Sequence, residues 1–216
     1  NSNTKGIIIN SPSNPTGGVW SDDAIKQTLD IAKKHGLWVF SDECYEQLTY
    51  DTEFKSIATL TNDIDKILTF QSCSKTYAMT GWRIGYTAGD SAVVKAMSKL
   101  QGQSTSCPNS IAQTAAIEAL IGDQSAVAEM RKIFKQRRSL IMDRLNAING
   151  VSCPTPGGAF YVFPDFTSYV GKSLEGNKIN SASEIAMYLL DNKYVVTVPG
   201  NGFGSSNNIR FSYAAS

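Results

Sequence analysis

Residues 72–85 read SCSKTYAMTGWRIG. They follow the apolar run Ile67-Leu68-Thr69-Phe70, so Lys75 falls just beyond the end of an expected strand in mid-chain. Hydroxyl side chains surround it, and Arg83 follows between Gly81 and Gly85. Polar groups of this kind matter at such a place, because ligands of open α/β sheets bind outside the carboxyl ends of the strands.

Working outward, two earlier strands end in the same way. Ile7-Ile8-Ile9 is a continuous β-branched run, expected to be a strand covered on both faces. The loop SPSNPTGG (11–18) follows, carrying Asn14. Ser21 is then expected to cap a helix with Asp22 and Asp23 in its first turn. Ile25, Leu29 and Ala32 form its apolar stripe, Lys33, Lys34 and His35 fill the last turn, and Gly36 stops it. Leu37 to Phe40 reads as a second strand closed by Ser41-Asp42-Glu43, and Lys66 to Phe70 as a third. Strand, helix and strand with short connections predict a parallel α/β sheet.

Residues 83–88 read as one more strand, and helical patterns run over 91–101, 110–122 and 126–148. After Gly150 the character changes. Pro154, Pro156, Gly157 and Gly158 lead into an expected strand over 159–163. A helix over 183–191, a strand over 194–198, the loop PGNGFG (199–204) and a last strand over 209–213 follow. The expected division is a partial large sheet domain, 1–135, and a partial smaller α+β domain, 136–216.

Composition narrows the function. A net charge of +1 over 216 residues leaves no electrostatic footprint for nucleic acid or an acidic membrane surface. His35 is the single histidine and sits at a helix end, which leaves no histidine-based nucleophilic triad. Cysteines at 44, 73, 107 and 153 form no CxxC pair, arguing against zinc and for reduced thiols in a cytosol-like, cytoplasmic setting. No apolar run approaches the roughly 18 residues that span a bilayer. The chain opens on Asn-Ser-Asn-Thr and stops in mid-pattern, so it is expected to be a piece of a longer protein.

Two rival chemistries fail on wording. Ser72-Cys73-Ser74-Lys75 fits the S-x-x-K of penicillin-binding acyl enzymes, but no downstream S-D-N or K-T-G accompanies it. Gly200-Asn201-Gly202-Phe203-Gly204 is not G-x-G-x-x-G, so a nicotinamide fingerprint is unsupported. That loop is expected to shape the turn before the last strand.

SPSNPTGG, SDECYEQLTY, SCSKTYAMTGWRIGY, PGGAFYVFP and PGNGFGSSNNIRFSYA together closely resemble the class I/II aminotransferases, the aspartate-aminotransferase-like enzymes of pyridoxal-phosphate fold type I. The resemblance covers nearly the whole chain and implies the latter part of that fold, with a large, mostly parallel sheet domain and a smaller C-terminal domain. It implies pyridoxal 5′-phosphate, amino acid and 2-oxo acid substrates, and a homodimer. It implies that Lys75 holds the cofactor as a Schiff base and then serves as the general base, which requires an amine depressed from about 10.4. It places Asp42 against the protonated ring nitrogen, and Asn14 and Tyr45 as donors to the ring's phenolic oxygen. Ser72 and Arg83 match the family's phosphate ligands. Arg210 matches its clamp on the substrate carboxylate, a task for a two-pronged guanidinium.

By itself Arg210 also reads as a surface salt bridge, and Phe160 and Tyr161 as small-domain core. A cis Asn14–Pro15 bond is implied. The phosphate-holding glycine loop and the ring-stacking aromatic lie upstream of Asn1 in relatives, so the fragment alone is expected to be inactive. The leading expectation is transamination by a ping-pong cycle. A carbon–sulfur lyase or related fold type I enzyme, and a cofactor-sensing domain of a regulator, are the alternatives.

Overall fold

The computed structural model describes residues 2–174 and 176–215. The chain separates into two units: residues 1–12 with 19–131, and residues 13–18 with 132–216.

In the first unit, β1 (Gly6–Asn10), β2 (Trp38–Asp42), β3 (Ile67–Ser72) and β4 (Gly85–Gly89) form one sheet in that order. The first three strands are parallel, with Asn10 opposite Asp42 and Asp42 opposite Phe70. β4 runs antiparallel to β3, which leaves the sheet mostly parallel, as the resemblance implied. The reason is the connection. A parallel return needs a crossover helix, whereas residues 73–84 hold only the single-turn α2 (Cys73–Thr76) and a 3-10 turn over Thr80–Trp82.

Helix α1 (Asp22–His35) forms as its sequence predicts. Ser21 accepts from the Ala24 amide, and Gly36 ends the helix at φ 62°, where a side chain would be strained. Lys66 also donates to the Gly36 carbonyl. Ile25 and Ala32 close a core with Ile9, Val39, Ile57 and Ile67. Side chains alternate along a strand, and Ile9 is buried on the α1 face while Ile8 is 77% exposed on the other. Helices α3 (Ser91–Ser104), α4 (Ser110–Ile121) and α5 (Ser125–Asn146) complete the unit, which ends within α5. Ala116 of α4 packs with Cys73 and Met79.

In the second unit, β5 (Tyr161–Val162), β8 (Val198–Pro199) and β9 (Ile209–Ser212) make an antiparallel sheet in the order β5-β9-β8. A two-stranded hairpin, β6 (Ser173–Leu174) with β7 (Asn177–Lys178), precedes α6 (Ala182–Lys193). Val162 and Ile209 are fully buried, and Phe134, Met142 and Leu145 of α5 are buried as well. The strand expected over 194–198 shrinks to Val198–Pro199. Tyr194 takes a left-handed φ of 57°, and the Tyr194 and Val195 amides bond back to Leu190 and Leu189, so helix closure consumes them. The strand expected over 159–163 likewise reduces to two residues, with Ala159 at φ 56°.

Candidate active site

Within the first unit, Asp42 is the last residue of β2. Its Oδ1 accepts from the Cys44 amide at 3.2 Å, and its carbonyl accepts from Asn10 Nδ2. The chain then turns through bonds from Glu46 to Glu43 and from Leu48 to Tyr45, which buries Tyr45. One strand over, Ser72 ends β3 and caps α2 by accepting from the Ser74 amide at 3.1 Å. Lys75 lies in that single helical turn.

Electrostatics ties these two strand ends together. The Cys44 thiol is pushed up to about 12, chiefly by burial, then by its hydrogen bond to Asp42 and by Asp42's charge. The Lys75 ammonium opposes the shift. Asp42 and Lys75 therefore both act on the Cys44 thiol.

Arg83 sits beyond the turn after α2 in the left-handed region, at φ 52°, as does Ala78. This conformation costs about 1–2 kcal/mol in a residue with a Cβ. Such strain gathers where geometry serves a ligand. Arg83 Nη1 donates to the Thr80 carbonyl at 2.9 Å, and the side chain lines an open cleft with Trp82, Asn109 and Ile111. The β3–β4 register sets Ser72 opposite Gly85, two residues from Arg83. Gly85 is required there, since a Cβ would lie 2.6 Å from the Gln71 carbonyl oxygen.

Asn14 and Arg210 belong to the second unit. The hexapeptide 13–18 is a closed turn: Gly17 donates to the Ser13 carbonyl and Ser13 to that of Gly18. The Gly158 amide bonds to the Gly17 carbonyl at 2.9 Å. Gly17 stands at φ 67°, where a Cβ would meet Pro156 Cβ at 2.4 Å. The Asn14–Pro15 bond is cis, as the resemblance implied, and so is Ser11–Pro12.

The turn presents Asn14 Oδ1 to Arg210 Nη1 at 2.7 Å. The Arg210 guanidinium also lies 4.5 Å from the centre of the Tyr161 ring and 5.2 Å from that of Phe203. Its Nε is buried without a hydrogen-bond partner. The ion pairs seen among the described residues, Lys33–Asp63 and Lys55–Asp22, do not involve it. The surface-salt-bridge reading of Arg210 therefore fails. Tyr161 is both core, at 6% exposure, and one wall of this guanidinium's slot.

A second carboxylate adjoins Asp42, and no sequence motif singles it out. Glu43 is 1% exposed and holds four hydrogen bonds.

The donor set suits pyridoxal phosphate: an amine for its aldehyde, a carboxylate for its ring nitrogen, and a hydroxyl and a guanidinium for its phosphate. No group of histidine, cysteine and acidic side chains among the described residues could hold a metal. No described helix is long and apolar enough to cross a membrane.

Known proteins agree. The family described as aminotransferase class I and II matches residues 1–216. The chain is 44% identical over 218 residues to a probable aspartate/prephenate aminotransferase of Rhizobium leguminosarum bv. phaseoli, covering 99% of this chain and 54% of that protein. The crystal structure of aspartate aminotransferase from Rhizobium meliloti superposes with a TM-score of 0.95 at 40% identity, over 100% of this chain and 55% of that one. The aromatic aminotransferase of Pyrococcus horikoshii OT3 gives 0.89 at 37% identity, over 99% and 56%. The chain spans about half the length of the curated relatives it matches. Aspartate aminotransferases of this kind use pyridoxal phosphate. Motif wording, strand-end geometry and these likenesses make the chain a member of the aminotransferase class I and II family.

Proposed function

We propose that this chain is part of an aminotransferase that moves an amino group between an L-amino acid and a 2-oxo acid by a ping-pong cycle. The observation that carries the reading is Arg210: a guanidinium walled by two aromatic rings, with a buried, unpartnered Nε and, among the described residues, no carboxylate partner. A buried donor left unpaired costs about 1–3 kcal/mol, and a bound carboxylate relieves that deficit with charge-assisted bonds.

Pyridoxal phosphate, when bound, supplies a reactive aldehyde and a ring that withdraws electrons from the substrate α-carbon. In the proposed division of work, Lys75 anchors the cofactor and then moves a proton at that carbon. Asp42 holds the ring nitrogen protonated. Tyr45 and Asn14 donate to the phenolic oxygen, and Ser72 and Arg83 bind the phosphate. Arg210, oriented by Asn14, grips the substrate carboxylate. The proposed assembly is a homodimer, and the proposed setting is the cytoplasm, where the four free cysteines would stay reduced.

Relatives named for aspartate and for aspartate or prephenate support an amino acid donor of this class. The test is a half-reaction. The native polypeptide containing this sequence, loaded with pyridoxal phosphate, is mixed with single L-amino acids and no acceptor. The visible absorbance of the cofactor should shift with at least one donor and return on adding a 2-oxo acid. Absence of any shift across the common amino acids would refute the reading.

A further inference from the structure

Glu43 is a buried carboxylate with no cation beside it among its bonding partners. Its Oε1 accepts from Ser41 Oγ at 3.0 Å, Ser56 Oγ at 3.0 Å and the Ile57 amide at 3.1 Å. Its Oε2 accepts from Gln71 Nε2 at 2.7 Å. Four neutral donors therefore converge on this carboxylate, three on Oε1 and one on Oε2. Burying such a group is expensive unless every bond is made. Packing alone does not explain the choice, since an apolar side chain would fill the volume without that demand.

The partners come from three places: the end of β2, the end of β3, and the 3-10 turn Ile57–Thr59 with its preceding serine. Register accounts for the meeting. Asp42 pairs with Phe70, so Glu43 and Gln71 are the next step along both strands. The Glu43 amide also donates to the Phe70 carbonyl at 2.9 Å. Alternation turns Glu43 and Gln71 toward the sheet face opposite to that of Asp42 and Ser72. One carboxylate thus sits immediately after Asp42 and is tied to the residue immediately before Ser72.

We infer that Glu43 is a positioning residue: through Gln71 it locks the carboxyl ends of β2 and β3 together and so fixes the separation between Asp42 and the Ser72–Lys75 segment. The inference rests on the function proposed above. It makes the network behind the sheet a determinant of cofactor geometry, because misplacing reacting groups by about 1 Å can cost 100-fold.

The clamp works through hydrogen bonds, and this gives it a signature. Glu43→Gln keeps the acceptor for Ser41, Ser56 and Ile57, and the Gln71 amide can rotate to accept where it formerly donated. Glu43→Leu and Gln71→Leu remove the link between the strands. Gln71→Leu, at a half-buried position, is the milder change if Glu43→Leu fails to fold. The native polypeptide is titrated with pyridoxal phosphate, well below each variant's melting temperature, and donor kcat and KM are measured alongside.

Glu43→Gln should stay within about threefold of the parent in cofactor Kd. The leucine variants should bind the cofactor roughly 10-fold or more weakly and lose kcat, with donor KM little changed. A folded Gln71→Leu with unchanged cofactor Kd and kcat would overturn the inference. Glu43→Gln as impaired as Glu43→Leu would also overturn it, by showing that charge and not the bonds matters. A parent protein that binds no pyridoxal phosphate would instead bring down the proposed function, and the inference with it.

Discussion

Arg210 Nη1 donates a 2.7 Å hydrogen bond to Asn14 Oδ1 across 196 residues of sequence. The bond fixes one prong of the guanidinium while the Tyr161 and Phe203 rings flank its faces. A cation held by rings and one neutral amide keeps its charge for something else. Aromatic faces contribute about 0.5–2 kcal/mol to hold it, without neutralising it.

Arg210→Lys should therefore remove carboxylate binding even though charge is kept. An ammonium cannot form two parallel bonds or stack between rings. Losing one or two charge-assisted bonds of about 1.5–3 kcal/mol lowers kcat/KM for amino donors by roughly 10–10⁴. Steady-state kinetics with a series of donors checks this, and a lysine variant within fivefold of the parent would remove Arg210 from substrate binding.

Asn14→Asp tests the same pair from the other side. A carboxylate 2.7 Å from Nη1 would compete for the guanidinium as an internal ligand. Donor KM should rise by about tenfold or more, since displacing a good ion pair costs at least ~1.4 kcal/mol. Unchanged KM would mean that the Asn14–Arg210 bond has no part in binding.

Borohydride reduction of the cofactor-loaded polypeptide, followed by peptide mapping, should place the pyridoxyl group on Lys75. A Lys75→Ala variant should retain no covalent label. Label on Lys66 or Lys95 in the parent would refute the assignment of Lys75.

Gly17→Ala should destabilise the second unit. The left-handed φ of 67° penalises any Cβ by about 1–2 kcal/mol. The 2.4 Å approach to Pro156 Cβ adds an overpacking term of about 1–3 kcal/mol. Denaturant unfolding should show a loss of roughly 2–5 kcal/mol, and a change below ~1 kcal/mol would show that the 13–18 turn is free to shift.

Cys44 should resist alkylation at pH 8 while the exposed Cys107 reacts. Burial raises the Cys44 thiol to about 12, against an ordinary value near 8.5. The sign for stability follows. The folded state keeps this proton when the unfolded chain has released it, so stability is whole below about pH 8.5 and declines as pH rises toward 12. Cys44→Ser should flatten that alkaline decline, measured by thermal melts between pH 8 and 11.

The sequence determined by itself whatever depended on neighbours a few residues apart. Helix α1 was legible from Ser21 to Gly36 because caps and apolar periodicity are local. The strand-end placement of Asp42, Ser72 and Lys75 was legible too, since apolar runs show where strands stop. Roles for Asn14, Tyr45, Arg83 and Arg210 came from the wording of motifs, which carries no geometry. Tertiary structure alone decided that β4 turns back antiparallel. It decided that Tyr194 and Val195 serve a helix exit and not a strand. It also revealed the Glu43 network and the aromatic slot around Arg210. These features depend on groups brought together across tens to hundreds of residues. Whether a polar atom is satisfied or an apolar face covered depends on what arrives from elsewhere in the chain, and local pattern does not record it.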